Sequence, residues 1–188
     1  MVVKKHYYSW NDIEKMCTTI LTDMYTSNYK PDYIVGITRG GNIPATILSN
    51  MTGIPCEAIK VSLRDGSTLE SNSVFAEDAF GVVPYDEQGT YKSRWDPDRR
   101  KKILIVDDIN DTGATFNWIR NDWMSGCFPQ EDNAWSSVWG NTVKFAVLTE
   151  NLASEFHHTN FHAHEINKAE ENIWLVYPWE NVGEYNES

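Results

Sequence analysis

The stretch Ile103-Leu-Ile-Val-Asp107-Asp108-Ile-Asn-Asp111-Thr112-Gly113-Ala-Thr115 sets four aliphatic residues directly before two aspartates. Residues 103–106 carry the strongest strand signal in the chain, an apolar run of the length a buried strand needs. Two carboxylates then emerge at the carboxyl end of that strand. A short turn with Thr112, Gly113 and Thr115 leads into a helix. Each part has a physical use. Consecutive N–H groups at a helix start attract an anion such as a phosphate. Gly113 lets the main chain approach closely, and Thr112 and Thr115 add hydroxyl donors. Asp107 and Asp108 can accept hydrogen bonds from vicinal sugar hydroxyls, or hold magnesium directly or through water. Phosphate at one end and diol at the other make a cradle for a ribose 5-phosphate. Taken alone, an acidic pair at a strand end also suits the metal pocket of a phosphoacceptor receiver domain.

Upstream, Val35-Gly-Ile-Thr38-Arg39-Gly40-Gly41-Asn42 ends a short apolar run at 33–37 that reads as a buried strand. A glycine pair beside a basic residue suits close approach to a diphosphate. By itself, Gly40-Gly41 also suits an ordinary tight turn. Residues 43–51 have helical spacing, with Pro44 in the first turn, and 57–63 have strand-like content. Strand, turn, helix and strand make a βαβ unit. Farther upstream, Trp10, Ile13, Cys17, Ile20, Leu21 and Met24 recur at helical spacing. Residues 10–25 therefore read as a helix, capped by Ser9 with Asp12 three residues on.

Downstream, 115–123 reads as a helix, 127–140 as a polar excursion bearing tryptophans, 142–148 as a strand and 173–177 as a strand-like run. Residues 64–100 show little periodicity, and so long a loop inside a domain is functional, inserted or disordered. Alternating β and α segments describe an α/β protein with a mostly parallel sheet. In the doubly wound order 2-1-3-4-5 the first and third strands are neighbours, and ligands bind where their carboxyl ends diverge. In that order Arg39-Gly-Gly and Asp107-Asp108 face one crevice.

Bulk properties narrow the ligand. The chain has 188 residues, 41% of them hydrophobic, which describes one globular domain over 1–188. Formal net charge is −11. A nucleic-acid binder shows a basic face, so nucleic acid is not an expected partner. The same acidity means that a phosphate substrate needs main-chain N–H groups and a metal ion to offset repulsion. Cys17, Cys56 and Cys127 are widely spaced and odd in number. They read as reduced thiols of a cytoplasmic protein, not as a disulfide framework. The amino-terminal MVVKKHYYSW lacks the apolar run of a signal peptide. No stretch approaches the roughly 20 apolar residues of a membrane span, so no membrane partner is expected.

The full run from Ile103 to Thr115 resembles the signature of the type I phosphoribosyltransferases. Residues 33–54, with Thr38-Arg-Gly-Gly-Asn-Ile-Pro-Ala45, look like the bacterial xanthine-guanine (6-oxopurine) members. So do the helix opening at Ser9-Trp10 and the tail Trp174-Leu-Val-Tyr-Pro178-Trp179-Glu180. The resemblance covers most of the chain outside 67–95, 127–140 and part of the tail. It implies a doubly wound, mostly parallel α/β sheet with a small hood from the chain ends, to which 151–188 contribute. It also implies a reaction: magnesium-dependent transfer of ribose 5-phosphate from phosphoribosyl pyrophosphate to guanine, xanthine or hypoxanthine. Pyrophosphate leaves, and the setting is nucleotide salvage. A homodimer or homotetramer goes with that family.

By the same resemblance, Asp107, Asp108, Asp111, Thr112, Gly113, Ala114 and Thr115 bind the ribose phosphate. Thr38, Arg39, Gly40 and Gly41 bind pyrophosphate across a cis Thr38–Arg39 peptide. Asp107 and Asp108 hold magnesium and stabilise the positive charge that builds on the ribose. Asp111 is the general base at purine N7, its bland alternative being a cap-like aspartate that steadies the loop. Trp174 stacks on the base and the main chain at Leu175 reads its edge, whereas the local pattern alone makes Trp174 a core aromatic. Residues 64–100 supply a flexible lid that excludes water.

The chain departs from that family in three places: a longer 64–100 segment, the extra 127–140 excursion and one missing residue. The xanthine-guanine members carry a lysine just past the fourth strand that contacts the 6-oxo group. Here the region reads Val147-Leu-Thr149-Glu150-Asn151, and Lys144 falls too early on the strand. The acceptor base is therefore open, and a transferase for another base is one alternative. A regulator that binds the donor without catalysis is a second, against which Asp111 and Trp174 argue. A receiver domain expects its acidic pair near the first strand, not after the third. Three further clusters read as structural. His157, His158, His162 and His164 describe a solvated loop rather than a metal site. Arg99, Arg100, Lys101 and Lys102 describe the solvated approach to a strand. Trp118, Trp123, Trp135 and Trp139 describe core or interface.

Overall fold

The computed structural model describes residues 3–61, 73–85, 88–126 and 134–180. In chain order these form β1 (Lys4–Tyr7), α1 (Trp10–Thr26), β2 (Tyr33–Thr38), α2 (Asn42–Thr52), β3 (Cys56–Lys60), α3 (Ser73–Phe80), β4 (Val82–Tyr85) and β5 (Tyr91–Trp95). There follow β6 (Ile103–Asn110), α4 (Ala114–Gly126), a π-helical turn at Trp135–Trp139, β7 (Val143–Asn151), β8 (Phe161–Ile166) and β9 (Ile173–Val176). The main sheet is parallel, in the order β3-β2-β6-β7-β8. That is the expected doubly wound order, with β2 and β6 as neighbours.

Alternate side chains of each strand point to opposite faces, so a sheet covered on both sides needs apolar residues at every position. Ile34, Leu104, Val106, Ala146 and Leu148 enter one core, packed beneath α1 and α2. Val35, Ile37, Ile103, Ile105, Phe145 and Val147 enter the other, packed beneath α3 and α4. Helix α1 starts where expected. Ser9 Oγ accepts from the Asp12 N–H while Asp12 accepts from the Ser9 N–H, and Ile13, Cys17, Ile20, Leu21 and Met24 form its buried stripe. The chain ends meet as a separate two-stranded parallel sheet, β1 with β9, which is the expected hood.

Four expectations change. Residues 64–100 are not a continuous loop: α3 and the antiparallel pair β4–β5 occupy the described part, while 62–72 lie outside it. Helix α3 has little periodicity of its own. It is held from outside, where Trp139 Nε1 donates to the Ala76 carbonyl and Thr142 Oγ1 to the Ala79 carbonyl. The excursion at 127–140 is not polar where it is described: Trp135, Val138 and Trp139 are buried in the second core with Trp123. Residues 127–133, with Cys127, lie outside the described segments. The tail histidines are not all in a loop either. His162 and His164 stand on β8, whose Phe161 and Ile166 are buried. Finally, β6 runs on through Asp107 and Asp108 to Asn110, because β7 continues to pair with it.

The basic cluster behaves as expected. Arg100 Nε donates to the Phe80 carbonyl and Lys101 pairs with Asp78 at 3.2 Å, both just before the amino end of β6. Among the described residues no helix is long and apolar enough to cross a membrane.

Candidate active site

Strands β2 and β6 run side by side, so the turn after Thr38 and the aspartates of β6 leave the sheet at the same edge. Their contact is closer than any side chain permits. A β-carbon added at Gly40 would lie 1.9 Å from Asp108 Oδ2, and one at Gly41 would lie 2.4 Å from the Val106 carbonyl oxygen. Main chain cannot give way, so Gly41 is required for the two segments to touch, and a side chain at Gly40 would displace the Asp108 carboxylate. The Thr38–Arg39 peptide is cis, as the resemblance implies. Helix α2 begins directly behind Gly41.

Asp107 and Asp108 therefore sit beneath a glycine roof. Burial, followed by the charge of Asp108, holds the Asp107 carboxyl well above the usual carboxylate range. Burial also raises Asp108, with the Glu180 charge adding to it. Asp107 Oδ1 accepts from the Asp108 N–H at 2.9 Å and Asp108 Oδ1 from the Ile109 N–H at 2.9 Å. Two adjacent, poorly compensated carboxylates at a main-chain roof suit a divalent cation. Magnesium is commonly held by one or two carboxylates together with substrate phosphates. Among the described residues no group of three or more His, Cys, Asp or Glu is arranged to hold a metal ion.

A cavity of about 170 Å3 follows, lined by residues 107–116. Its turn depends on Gly113, whose φ of +84° lies in the left-handed region and whose added β-carbon would be 2.5 Å from the Phe156 N. Thr112 Oγ1 accepts from the Ala114 N–H at 3.3 Å, and the Thr112 carbonyl accepts from the Glu155 N–H at 3.1 Å. Beneath the turn, Asn110 is 2% exposed and spends its whole amide on partners. Its Nδ2 donates to Glu150 Oε1 at 2.7 Å and to the Phe156 carbonyl at 2.9 Å, and its Oδ1 accepts from Ser154 Oγ at 2.8 Å. The loop after β7 thus braces the turn from behind.

Asp111 has partners that no local pattern shows. Lys168, in the loop after β8, brings Nζ to 2.8 Å from Asp111 Oδ1. Asn151 arranges the meeting. Its Nδ2 donates to the Asp111 carbonyl at 2.7 Å and its Oδ1 accepts from the Lys168 N–H at 3.0 Å. The stretch that lacks the expected lysine supplies instead the asparagine that places one from elsewhere.

The hood closes the other side. The Tyr177 hydroxyl donates to the Asp108 carbonyl at 3.1 Å and lies 3.0 Å from Thr149 Oγ1. Its ring stacks on Tyr8 and on Trp179. Leu175 is buried beneath. Trp174, on the opposite face of β9, is 59% exposed, so the core role that its local pattern suggests is wrong. Strand β9 pairs only with β1 among the described residues. Tyr177, Asn151 and Lys168 were not singled out as site residues. Only Tyr177 had a sequence signal, its place in the tail that resembles the xanthine-guanine enzymes.

Comparison with known proteins bears on the family and the fold. Residues 4–178 match the phosphoribosyl transferase domain family. The chain is 27% identical to hypoxanthine-guanine phosphoribosyltransferase of Schizosaccharomyces pombe, over 93% of this chain and 88% of that protein. It is 30% identical to xanthine phosphoribosyltransferase 1 of Saccharomyces cerevisiae, over 61% of this chain but only 58% of that protein's length. The fold is similar to that of purine phosphoribosyltransferase from Pyrococcus horikoshii, with a TM-score of 0.60 and 22% identity over 94% of this chain and 95% of that one. The protein belongs to the phosphoribosyltransferase family.

Proposed function

We propose that this protein transfers ribose 5-phosphate from phosphoribosyl pyrophosphate to a 6-oxopurine (guanine, xanthine or hypoxanthine), with release of pyrophosphate, as a step of purine salvage. The observation that carries the reading is the contact of the Gly40–Gly41 turn with the Asp107–Asp108 pair. That contact supports a reading in which the turn meets a diphosphate and the aspartates meet the ribose hydroxyls in one crevice.

In this reading the turn 111–115 binds the 5-phosphate through its N–H groups and the Thr112 and Thr115 hydroxyls. Thr38, Arg39, Gly40 and Gly41 face the pyrophosphate. Asp107 and Asp108 grip the ribose hydroxyls and would hold magnesium, which supplies charge neutralisation to the leaving pyrophosphate. A purine ring nitrogen bonds to the anomeric carbon as its bond to the pyrophosphate oxygen breaks. Positive charge builds on the ribose between these events, and the carboxylates oppose it from fixed positions. Asp111 takes the proton that the purine loses at N7. Lys168, held beside it, faces the acceptor's oxo group in place of the lysine the family carries past its fourth strand. Trp174 stacks on the base and the main chain at Leu175 reads its rim. Residues 64–100 would supply the lid that screens the site from water.

The test is direct. The protein is incubated with the donor, magnesium and, in turn, guanine, xanthine, hypoxanthine, adenine and orotate, and nucleotide formation is followed. Turnover of a 6-oxopurine is expected. Tight donor binding with no base consumed would make the protein a donor-sensing regulator, and turnover confined to adenine or orotate would move it to another branch.

A further inference from the structure

A second cleft, of about 370 Å3, lies away from that site. Arg120 of α4, Trp135, Phe145, His157 and His158 line it. Phe145 lies near the amino end of β7, whereas the turn 111–115 hangs from the carboxyl end of β6. Phe156 lies between the two cavities, its N where a β-carbon on Gly113 would fall and its ring 5.9 Å from the Arg120 guanidinium. The cavities share no lining residue.

Arg120 is unusual in this chain. Its guanidinium sits 5.0 Å from the Trp135 ring centre and 5.9 Å from that of Phe156. Its Nε is buried and without a hydrogen-bond partner among the described residues. None of the ion pairs among those residues involves it. Burial, then Arg120, then His157 push the His158 imidazole below its usual range, and no carboxylate among the described residues opposes them. The chain has 27 acidic and 16 basic residues, so an arginine need not go unpaired for want of acids. A partly buried cation with no counter-charge among the described residues gains from an anion.

We propose that this cleft binds a small phosphate-bearing anion, held by the Arg120 guanidinium with His157 and His158. The two rings occupy the face of the guanidinium and Nε is buried, which leaves the terminal N–H groups for a ligand. Those coplanar groups match two phosphate oxygens at once. Two imidazoles on adjacent residues of the 152–160 loop offer donors to the remaining oxygens of a tetrahedral group. The volume exceeds that of phosphate alone and falls at the small end of ligand clefts, about 300–1,000 Å3. A phosphate ester therefore fits better than the free ion.

Inorganic phosphate, titrated at constant ionic strength, is the probe. In the native chain the His157 and His158 imidazole signals should shift saturably, with His158 taking up a proton at higher pH when phosphate is bound. Arg120→Gln should weaken the midpoint at least tenfold. The exposed pair His157→Ala/His158→Ala, read by tryptophan fluorescence, tests the same site without risk to the fold. Basal transferase turnover should be unchanged in both variants. A response matched by chloride, or one that survives in both variants, overturns the proposal, because phosphate would then be acting by screening or in the donor site.

Discussion

Lys168 Nζ stands 2.8 Å from Asp111 Oδ1. The pair joins the residue proposed as general base to the cation proposed for the acceptor's oxo group. A charged hydrogen bond to a ligand contributes about 1.5–3 kcal/mol, and about 1.4 kcal/mol is tenfold in affinity. Lys168→Met should therefore raise KM for the base by roughly 10- to 100-fold and leave donor affinity as it was. Steady-state kinetics with each substrate varied in turn separates the two. An unchanged KM for the base would remove Lys168 from the pocket.

Asp111→Asn keeps the shape and loses the base. Its kcat should fall by about 10²- to 10⁴-fold, with donor binding nearly intact. Single-turnover measurement of the chemical step checks this. Full activity in the variant would reduce Asp111 to a residue that steadies its loop.

The two glycines of the first turn should fail differently. In Gly40→Ala the new β-carbon meets the Asp108 carboxylate, 1.9 Å from Oδ2. Donor affinity should drop more than tenfold while the thermal midpoint barely moves. In Gly41→Ala the new β-carbon meets main chain, 2.6 Å from the Asp107 Cα. Main chain cannot swing aside, so the variant should lose about 1–3 kcal/mol of stability. Calorimetric donor titration and thermal unfolding, run on both, decide the matter.

Stability should also depend on pH through the hood. Tyr8, just past β1, brings its Oη against Nδ1 of His164 on β8. Burial, then the neighbouring His6, hold the His164 imidazole below its usual range, while Glu165 pulls the other way. The folded protein therefore resists protonation of His164 more than the unfolded chain does. This contribution is complete above the unfolded pKa and fades as pH falls below about 6.5 toward the folded value. The thermal midpoint should decline over that range, and His164→Asn should decline less. Parallel curves for the two proteins would count against the assignment.

Much of this molecule is legible locally. Ser9 and Asp12 announce α1, and the aliphatic run of β6 announces the central strand. Gly113 marks a turn that needs positive φ. What was illegible depended on distant partners. Helix α3 has no strong period, and Trp139 and Thr142 anchor its carbonyls. Strand β8 was hidden in a histidine-rich tail until β7 paired with it. Trp174 looked like a core residue until the hood turned its side chain outward.

By itself, the sequence determined the strand and helix segments around the crevice, the two glycine turns and the acidic pair. Each of these is a property of neighbouring residues: apolar period, main-chain freedom, adjacent charge. Only the tertiary structure decided that Gly40 touches Asp108, that Tyr177 caps the Asp108 carbonyl, and that Lys168 reaches Asp111. Those contacts form between segments far apart in the chain, and the parallel sheet and Asn151 bring them together. A missing lysine beside Asn151 is thus only a gap in the local string; in space, a cation stands at Asp111.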